Sequence, residues 1–210
     1  KTTNRGETWM NIYTEPQANA KITSIAIDFN ESNNIYLTTS LGILKSENYG
    51  NTWKVLKWVN KGVKKNYFHQ TDSKKIFAIS YEEGIFKTSD AGKTWEQIKE
   101  SLKNFKNGIV IYDFWSGKEK EIFLATKYGF LKSNDDGQNF EEIKTLIKPS
   151  TSEISQIGVN PKNSQEIYFT SKNTFYKSID DGKNWTMRSL PTSSSVNILV
   201  IDPNEPRMIY

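Results

Sequence analysis

Short apolar runs separated by polar turns follow one another along the chain. Within residues 22–56, an alternating stretch at 22–28 precedes apolar-rich stretches at 35–39 and 41–46 and a final short run at 53–56. Runs of this length, rich in Ile, Tyr and Thr, are typical of β-strands, and the polar residues between them indicate turns. The pattern therefore predicts four antiparallel strands in each unit and no helix of ordinary length.

The same order of runs recurs down the chain. We predict four complete units and a partial one: approximately residues 22–56, 65–98, 109–143 and 154–188, with 1–12 and 196–210 contributing to the partial unit. Their strands carry apolar residues on both faces, which means that each sheet is covered on both sides. Four-stranded sheets in a radial array meet this requirement, so we expect an all-β fold, a β-propeller of four-stranded antiparallel blades.

A nine-residue stretch closes each unit and is the strongest repeat signal. Its copies are KTTNRGETW (1–9), KSENYGNTW (45–53), KTSDAGKTW (87–95), KSNDDGQNF (132–140) and KSIDDGKNW (177–185). Their glycines, Gly6, Gly50, Gly92, Gly137 and Gly182, are spaced by 44, 42, 45 and 45 residues. A regular period of this length is the sign of stacked supersecondary units.

Each copy is predicted to be a hairpin turn. Glycine supplies the positive φ, the Asx side chain accepts hydrogen bonds from turn amides, and the aromatic residue begins the return strand and packs against its neighbour. The Asx residues are Asn4, Asn48, Asp90, Asp135 and Asp180, and the aromatic residues are Trp9, Trp53, Trp95, Phe140 and Trp185. An amide caps a turn but is neither a general base nor a good ligand for a hard cation, so the exchange of Asn for Asp favours a structural role.

These stretches resemble the Asp-box, or BNR repeat, of the form Ser/Thr-x-Asp-x-Gly-x-Thr-Trp. The motif occurs in sialidases, sortilin-type receptors, photosystem II assembly factors and propeller glycosidases that cut xyloglucan. The resemblance implies a structural hairpin on the edge of each blade and an extracytoplasmic or secreted protein, but it does not choose among those functions.

The two ends of the sequence leave two interpretations open. Residues 1–12 supply the end of one unit and residues 196–210 the beginning of another, so together they nearly make one blade. The chain is then either a five-bladed ring or a segment of a longer propeller, and we favour the segment.

Composition excludes several classes of function. The net charge of +4 arises from 28 basic and 24 acidic residues, with only three arginines, which does not favour a nucleic-acid-binding protein. No apolar run approaches bilayer-spanning length, so we expect no membrane insertion. Cysteine is absent, which removes thiolate metal sites and cysteine nucleophiles.

No catalytic residue, metal site or cofactor site is predicted. The single histidine, His69, occupies a turn position after a first strand, and the arginines are not placed as a sialidase requires. Asp113, Glu82 and Glu83 are candidate glycosidase carboxylates, but no spacing singles out a pair.

One lysine recurs in each unit at the head of the repeat: Lys1, Lys45, Lys87, Lys132 and Lys177. These lysines could line a docking rim for an anionic partner, but we favour stems packed along the box aromatic residues with their ammonium groups in water. A denser basic run includes Lys57, Lys61, Lys64, Lys65, Lys74 and Lys75. We expect it in the loop and irregular first strand between two boxes.

The loops opposite the box turns are the expected binding face. They join second to third strands and blade to blade, the latter around 57–66, 99–108 and 144–153. The candidate partner-binding residues are Trp58, Lys64, Lys65, Tyr81 and Tyr128. We therefore predict a non-catalytic scaffold that binds or assembles a protein partner, with a carbohydrate-active enzyme or glycan-binding module as the alternative.

Overall fold

A computed structural model of the chain describes residues 1–69, 71–117, 120–148 and 153–210. Its strands form four antiparallel sheets, each of four strands consecutive in sequence. The first sheet contains β1 (Ile22–Ile27), β2 (Ile35–Thr39), β3 (Gly42–Ser46) and β4 (Lys54–Trp58). The second contains β5 (Val63–Phe68), β6 (Ile76–Ser80), β7 (Ile85–Thr88) and β8 (Glu96–Ile98).

The third and fourth sheets repeat this order. The third contains β9 (Ile111–Ser116), β10 (Ile122–Thr126), β11 (Phe130–Ser133) and β12 (Glu141–Glu142). The fourth contains β13 (Gln156–Val159), β14 (Ile167–Ser171), β15 (Thr174–Ser178) and β16 (Thr186–Ser189). The helical content of the described residues is one 3₁₀ turn, Ser101–Asn104. The predicted all-β fold of four-stranded antiparallel units is confirmed.

The chain divides into two compact parts, which are called the first unit and the second unit from here on. The first consists of residues 1–68 and 72–96, and the second of residues 69–71 and 97–210. Each has an apolar core. In the first unit Ile43, Val63, Ala78 and Phe86 pack together, and in the second a larger cluster gathers around Phe123, Phe130 and Phe169. Every residue of the second strands β2, β6, β10 and β14 is buried, which accounts for their nearly continuous apolar sequences.

Polar contacts join neighbouring sheets through their first strands. In the first unit the Thr23 hydroxyl donates to the Val63 carbonyl at 2.7 Å, and the Ser24 hydroxyl donates to Asn66 Oδ1 at 2.8 Å. In the second unit the Ile157 N–H donates to the buried carboxylate of Asp113 at 2.9 Å. Asp113, a candidate glycosidase carboxylate in the sequence, is therefore engaged between β9 and β13.

Four of the five recurring lysines lie on the third strands, directly opposite an aromatic residue of the second strand. The pairs are Lys45 with Tyr36, Lys87 with Phe77, Lys132 with Phe123 and Lys177 with Tyr168. The ammonium groups of Lys45, Lys132 and Lys177 lie 5.2–5.4 Å from the centroid of the paired ring. The expected partner was the box aromatic residue, so this detail is wrong; the antiparallel register decides which ring the lysine meets.

Most of these ammonium groups form ion pairs with carboxylates, whereas we expected them from the sequence to be in water. Lys132 Nζ lies 2.8 Å from Asp181 and 3.5 Å from Glu121, and its side chain is only 8% exposed. Lys45 and Lys87 are buried to a similar degree and pair with Glu47 and Glu96 at 3.0 Å. Hydrogen bonds from Lys54 and Lys45 lower the pKa of Glu47 to about 2. These lysines therefore contribute to the sheets themselves and do not form a row of free charges.

Replacing Lys132 with Met tests this assignment. The substitution keeps an apolar stem but leaves Asp181 and Glu121 without their cation, and we expect the free energy of unfolding to fall by about 1–3 kcal/mol. Lys103→Met is the control, since its pair with Glu100 is solvent-exposed and should contribute less than about 0.5 kcal/mol. Urea denaturation of both variants measures the difference, and equal losses would contradict a buried, structural lysine.

Candidate functional site

A side-chain hydroxyl organises each of the five boxes. It belongs to the second residue of the repeat: Thr2, Ser46, Thr88, Ser133 and Ser178. Each hydroxyl donates to the Asx Oδ1 at 2.7–3.0 Å. Each also accepts the N–H of the box glycine at 2.8–2.9 Å. One small side chain thus satisfies groups on both sides of the turn.

The Asx side chain closes the other half of the turn. Its Oδ1 accepts the N–H of the residue four positions later at 2.8–3.0 Å in every copy. Its second polar atom depends on that partner. Asn4 and Asn48 donate to a threonine hydroxyl, whereas Asp180 accepts from the Asn184 amide at 2.7 Å. Both Asn and Asp can occupy this position because the partner is a hydroxyl or an amide, each of which can donate or accept.

Two consecutive residues of each box have positive φ. The glycines lie at φ 80–94°, as expected, but the preceding residues are also left-handed, at 56–66°. These residues are Arg5, Tyr49, Ala91, Asp136 and Asp181. In the last four copies their N–H donates at 2.9–3.0 Å to a carbonyl in the turn between the first and second strands. The sequence did not show this second position, because its side chains share no chemical feature.

Four of the box glycines are contact points with the segment that follows the preceding box. A β-carbon built on Gly50, Gly92, Gly137 or Gly182 would lie 2.4–2.7 Å from an aliphatic side chain. Those side chains are Ile12, Leu56, Ile98 and Ile143. Each of these side chains lies three positions after the aromatic residue of the preceding box. The regular spacing of the boxes along the sequence therefore reflects the packing of each box against the segment before it.

The box aromatic residues strengthen the same contact. The indole N–H of Trp53 donates to Gly50 O at 3.1 Å and to Ile12 O of the preceding segment at 2.8 Å. The indole N–H of Trp185 donates to Gly182 O at 3.0 Å and to Lys144 O at 2.9 Å. Phe140 has no N–H, and in its copy the Ser101 hydroxyl donates to the glycine carbonyl at 2.9 Å. The return strands begin one residue after the aromatic residue, not at it as predicted.

Hydrogen bonding keeps the box carboxylates ionised. The side-chain and backbone bonds from Asn184 and the Ser178 hydroxyl lower the pKa of Asp180 to about 2. Bonds from Thr94 and Thr88 lower that of Asp90 in the same way. A carboxylate in this state at neutral pH neither donates a proton nor is a strong base, so the geometry supports a capping role.

In the first unit, loops from both sheets meet on the side of the expected binding face. We call this the Trp58 surface: Trp58, residues 40–41, residues 59–62 and residues 81–84. The Val59 N–H donates to Leu41 O at 2.9 Å, and the Lys61 N–H donates to Glu83 Oε1 at 3.0 Å. Trp58 is 63% exposed and Tyr81 is 48% exposed.

A β-bulge positions Trp58. The pairing of β3 with β4 shifts register between Ile43 and Leu44, and Gly42 pairs with Trp58. A β-carbon on Gly42 would lie 2.3 Å from Lys57 O, so glycine is needed for this close approach. The predicted long connection at 57–66 is correspondingly shorter, because β4 continues to Trp58 and β5 begins at Val63.

Several lysines of the basic run already have partners within the chain. Lys57 and Lys65 lie over the rings of Phe86 and Tyr67, and Lys61 pairs with Glu82 at 3.5 Å. Lys64 lies in β5 and is half-buried. The lysines are thus distributed among aromatic and acidic neighbours.

Tyr128 and a polar cleft lie in the second unit. The Tyr128 hydroxyl donates to Glu142 at 2.7 Å and its ring packs edge-on against Phe105, so much of this predicted contact residue is already engaged. A separate cleft of about 470 Å³ is lined by Glu153, Ser155, Gln156, Lys172, Ser195 and Asn197. The sequence did not indicate this cleft.

His69 has a turn contact of the kind expected. It is buried, and its Nδ1 accepts the Thr71 N–H at 3.4 Å. Across residues 1–69, 71–117, 120–148 and 153–210, no three His, Asp or Glu side chains are grouped as metal ligands. In the same residues, no helix has the length and apolar character needed to cross a bilayer.

The repeated box turns and the four-stranded antiparallel sheets define the fold class: the chain has the fold of β-propeller blades. The family model described as sortilin, neurotensin receptor 3, matches residues 128–210. No curated protein matches the chain.

Solved structures share the fold at low sequence identity. An ancestral GH74 enzyme is 20% identical, with a TM-score of 0.68 over 87% of this chain and 26% of its own. YCF48 bound to D1 peptide is 15% identical, with a TM-score of 0.68 over 95% of this chain and 64% of its own. The extracellular domain of the one component system BT4673 from B. thetaiotaomicron is 15% identical, with a TM-score of 0.70 over 93% and 26%. The chain therefore spans less than two thirds of each of these proteins.

Replacing Gly182 with Ala tests the dual role of the box glycine. The residue has φ +80°, and a β-carbon there would meet Ile143 Cγ2 at 2.4 Å, so we expect a loss of about 1–3 kcal/mol in the free energy of unfolding. Gly129→Ala is the control, because its β-carbon would enter open space. Thermal and chemical denaturation compare them; a loss at Gly129 as large as at Gly182 would argue against the packing role.

Acid should weaken the fold through the box carboxylates. The pKa of Asp180 is lowered from 3.8 to about 2 in the folded chain, so its stabilising contribution is present above the unfolded pKa and is lost as the pH falls through the folded value. We expect Asp180→Asn to separate from wild type in melting temperature above about pH 4 and to converge with it near pH 2. Melts across this range test the prediction, and a difference that grows in acid would have the wrong sign.

Proposed function

We propose that the chain is a non-catalytic Asp-box propeller segment that binds a protein partner and acts as an assembly scaffold. The observation that carries the proposal is the Trp58 surface, where a tryptophan at the end of β4 and a tyrosine after β6 are exposed beside loops joined by hydrogen bonds. Exposed aromatic residues on a rigid support are typical centres of protein-binding surfaces. Trp58, Tyr81 and the adjacent Lys64 and Lys65 remain our proposed contact residues, with Tyr128 in the second unit.

Two further observations support this function. The acidic residues of the repeats are committed to turn hydrogen bonds, which favours a structural use of the motif. A protein of the same fold, YCF48, has been solved bound to D1 peptide. We infer that this chain also binds a polypeptide.

A glycan-binding or glycoside-cleaving function is the second candidate. It is favoured by the polar cleft, which combines a carboxylate, an ammonium group, hydroxyls and amides, and by the shared fold of the GH74 enzyme. In the cleft, Glu153 accepts a hydrogen bond from the Tyr112 hydroxyl at 2.7 Å. Burial and this bond raise the pKa of Tyr112 to about 12.

A displayed peptide library provides the probe for the protein-binding proposal. Peptides selected on the whole chain should lose about tenfold or more in affinity for Trp58→Ala and for Tyr81→Ala, because a buried aromatic anchor typically contributes that much. Ile179→Ala is the matched control, since this side chain is 68% exposed on a box turn. Undiminished binding by both aromatic variants would refute the assignment of the Trp58 surface.

A glycan array and a panel of chromogenic glycosides examine the alternative. We expect neither binding nor turnover. Turnover that disappears in Glu153→Gln, with the fold retained by circular dichroism, would replace the scaffold proposal with an enzyme that uses the polar cleft.

A further inference from the structure

Three of the sheets hold a lysine ammonium group in the same way. In each, the ammonium group lies 5.2–5.4 Å from the centroid of an aromatic ring of the second strand. It also pairs with a carboxylate at 2.6–3.0 Å. A ring face and a carboxylate together are therefore the setting in which this chain binds a cation. The three sets are Lys45 with Tyr36 and Glu47, Lys132 with Phe123 and Asp181, and Lys177 with Tyr168 and Glu166.

The Trp58 surface presents the same two kinds of group. The side chains of Trp58 and Tyr81 are 63% and 48% exposed. Glu82 directly follows Tyr81, and its side chain is 65% exposed. Among the residues that the structure describes, neither of these two rings has a cation over it, whereas nearby lysines lie over other rings. The ring faces and the carboxylate are thus open to a cation from outside the chain.

Lys61 is the cation that Glu82 now holds, and this pair is weak. Lys61 Nζ lies 3.5 Å from Glu82 Oε2, and both side chains are more than half exposed. Exposed ion pairs of this kind contribute little, so another cation can replace the lysine. An arginine is the best suited, because its planar guanidinium group stacks on an aromatic ring and also donates two hydrogen bonds to one carboxylate.

We propose that the Trp58 surface binds an arginine side chain of a polypeptide partner. The guanidinium group would lie against the ring of Trp58 or Tyr81 and pair with Glu82 in place of Lys61. This inference rests on the proposed function, because it names the residue of the protein partner that the surface recognises. An acidic partner fits less well, since the ammonium group of Lys61 is already paired and the negative faces of the two rings repel an anion.

Peptides selected from a displayed random heptapeptide library on the whole chain test the proposal. We expect the peptides whose binding requires Trp58 to contain arginine. Replacement of that arginine by citrulline, which has nearly the same shape but no charge, should weaken binding about tenfold, because the cation–π contact and the ion pair are both lost.

Two substitutions in the chain should act with opposite signs. Glu82→Gln removes the carboxylate and should weaken the arginine peptides about two- to fivefold, whereas Lys61→Gln removes the competing cation and should strengthen them about twofold. Glu7→Gln is the matched control and should change nothing, because this exposed carboxylate lies on the first box of the same unit. Unchanged melting temperatures would show that the variants are folded.

Each other outcome overturns the inference. Trp58-dependent peptides that lack arginine, or that bind equally well with citrulline, would do so and leave the proposed function standing. Arginine peptides that respond to neither Glu82→Gln nor Lys61→Gln would contradict the pairing with Glu82, and reversed signs would show that the surface recognises an acidic segment. If no selected peptide depends on Trp58, the proposed function fails and the inference fails with it.

Discussion

The hydrogen bonds of the box hydroxyl hold the backbone in two consecutive left-handed residues. Such a conformation costs roughly 1–3 kcal/mol for a non-glycine residue, so it persists only where other bonds compensate. Here the hydroxyl satisfies the glycine N–H, the Asx side chain satisfies the amide four residues later, and the left-handed residue donates to the adjacent turn. This conformation brings the glycine α-carbon against the preceding fourth strand. Local turn chemistry and packing between sheets therefore depend on the same few bonds.

A second set of contacts works across the strands instead of between the sheets. In the four complete sheets the lysine at the head of the box lies opposite an aromatic residue of the second strand, and its charge is matched by a nearby carboxylate. Glu166 is the ion-pair partner of Lys177. Burial opposes ionisation of the Glu166 carboxyl group, but hydrogen bonds from Lys177, Tyr168 and Asn160 outweigh this effect and lower its pKa to about 2. Each blade thus places an ion pair beside its core, at the point where the box begins.

The architecture was predictable because its signals are periodic. Glycines at a spacing of 42–45 residues and strands of matching length leave few alternatives to a stack of four-stranded sheets. The details that were missed depend on tertiary register. Nothing in the identities of Arg5, Tyr49 and Ala91 indicates a left-handed backbone, and a bulge between β3 and β4 cannot be read from alternation alone. The ring that meets each lysine was wrongly expected for the same reason.

The candidate surface was harder to predict than the fold. The exposure and the partners of a surface side chain depend on its neighbours in space, which the repeat pattern does not specify. Tyr128 and Tyr81 occupy comparable loops, yet the hydroxyl of Tyr128 is bonded to Glu142 while Tyr81 is about half exposed. Lys57, Lys61 and Lys65 are close in sequence but each has a different partner. Four of the boxes pack against the segment that follows the preceding box, which keeps them alike, whereas the opposite loops share no common contact. Differences among copies of the repeat are therefore the better guide to function, and the exposed Trp58 is one of them.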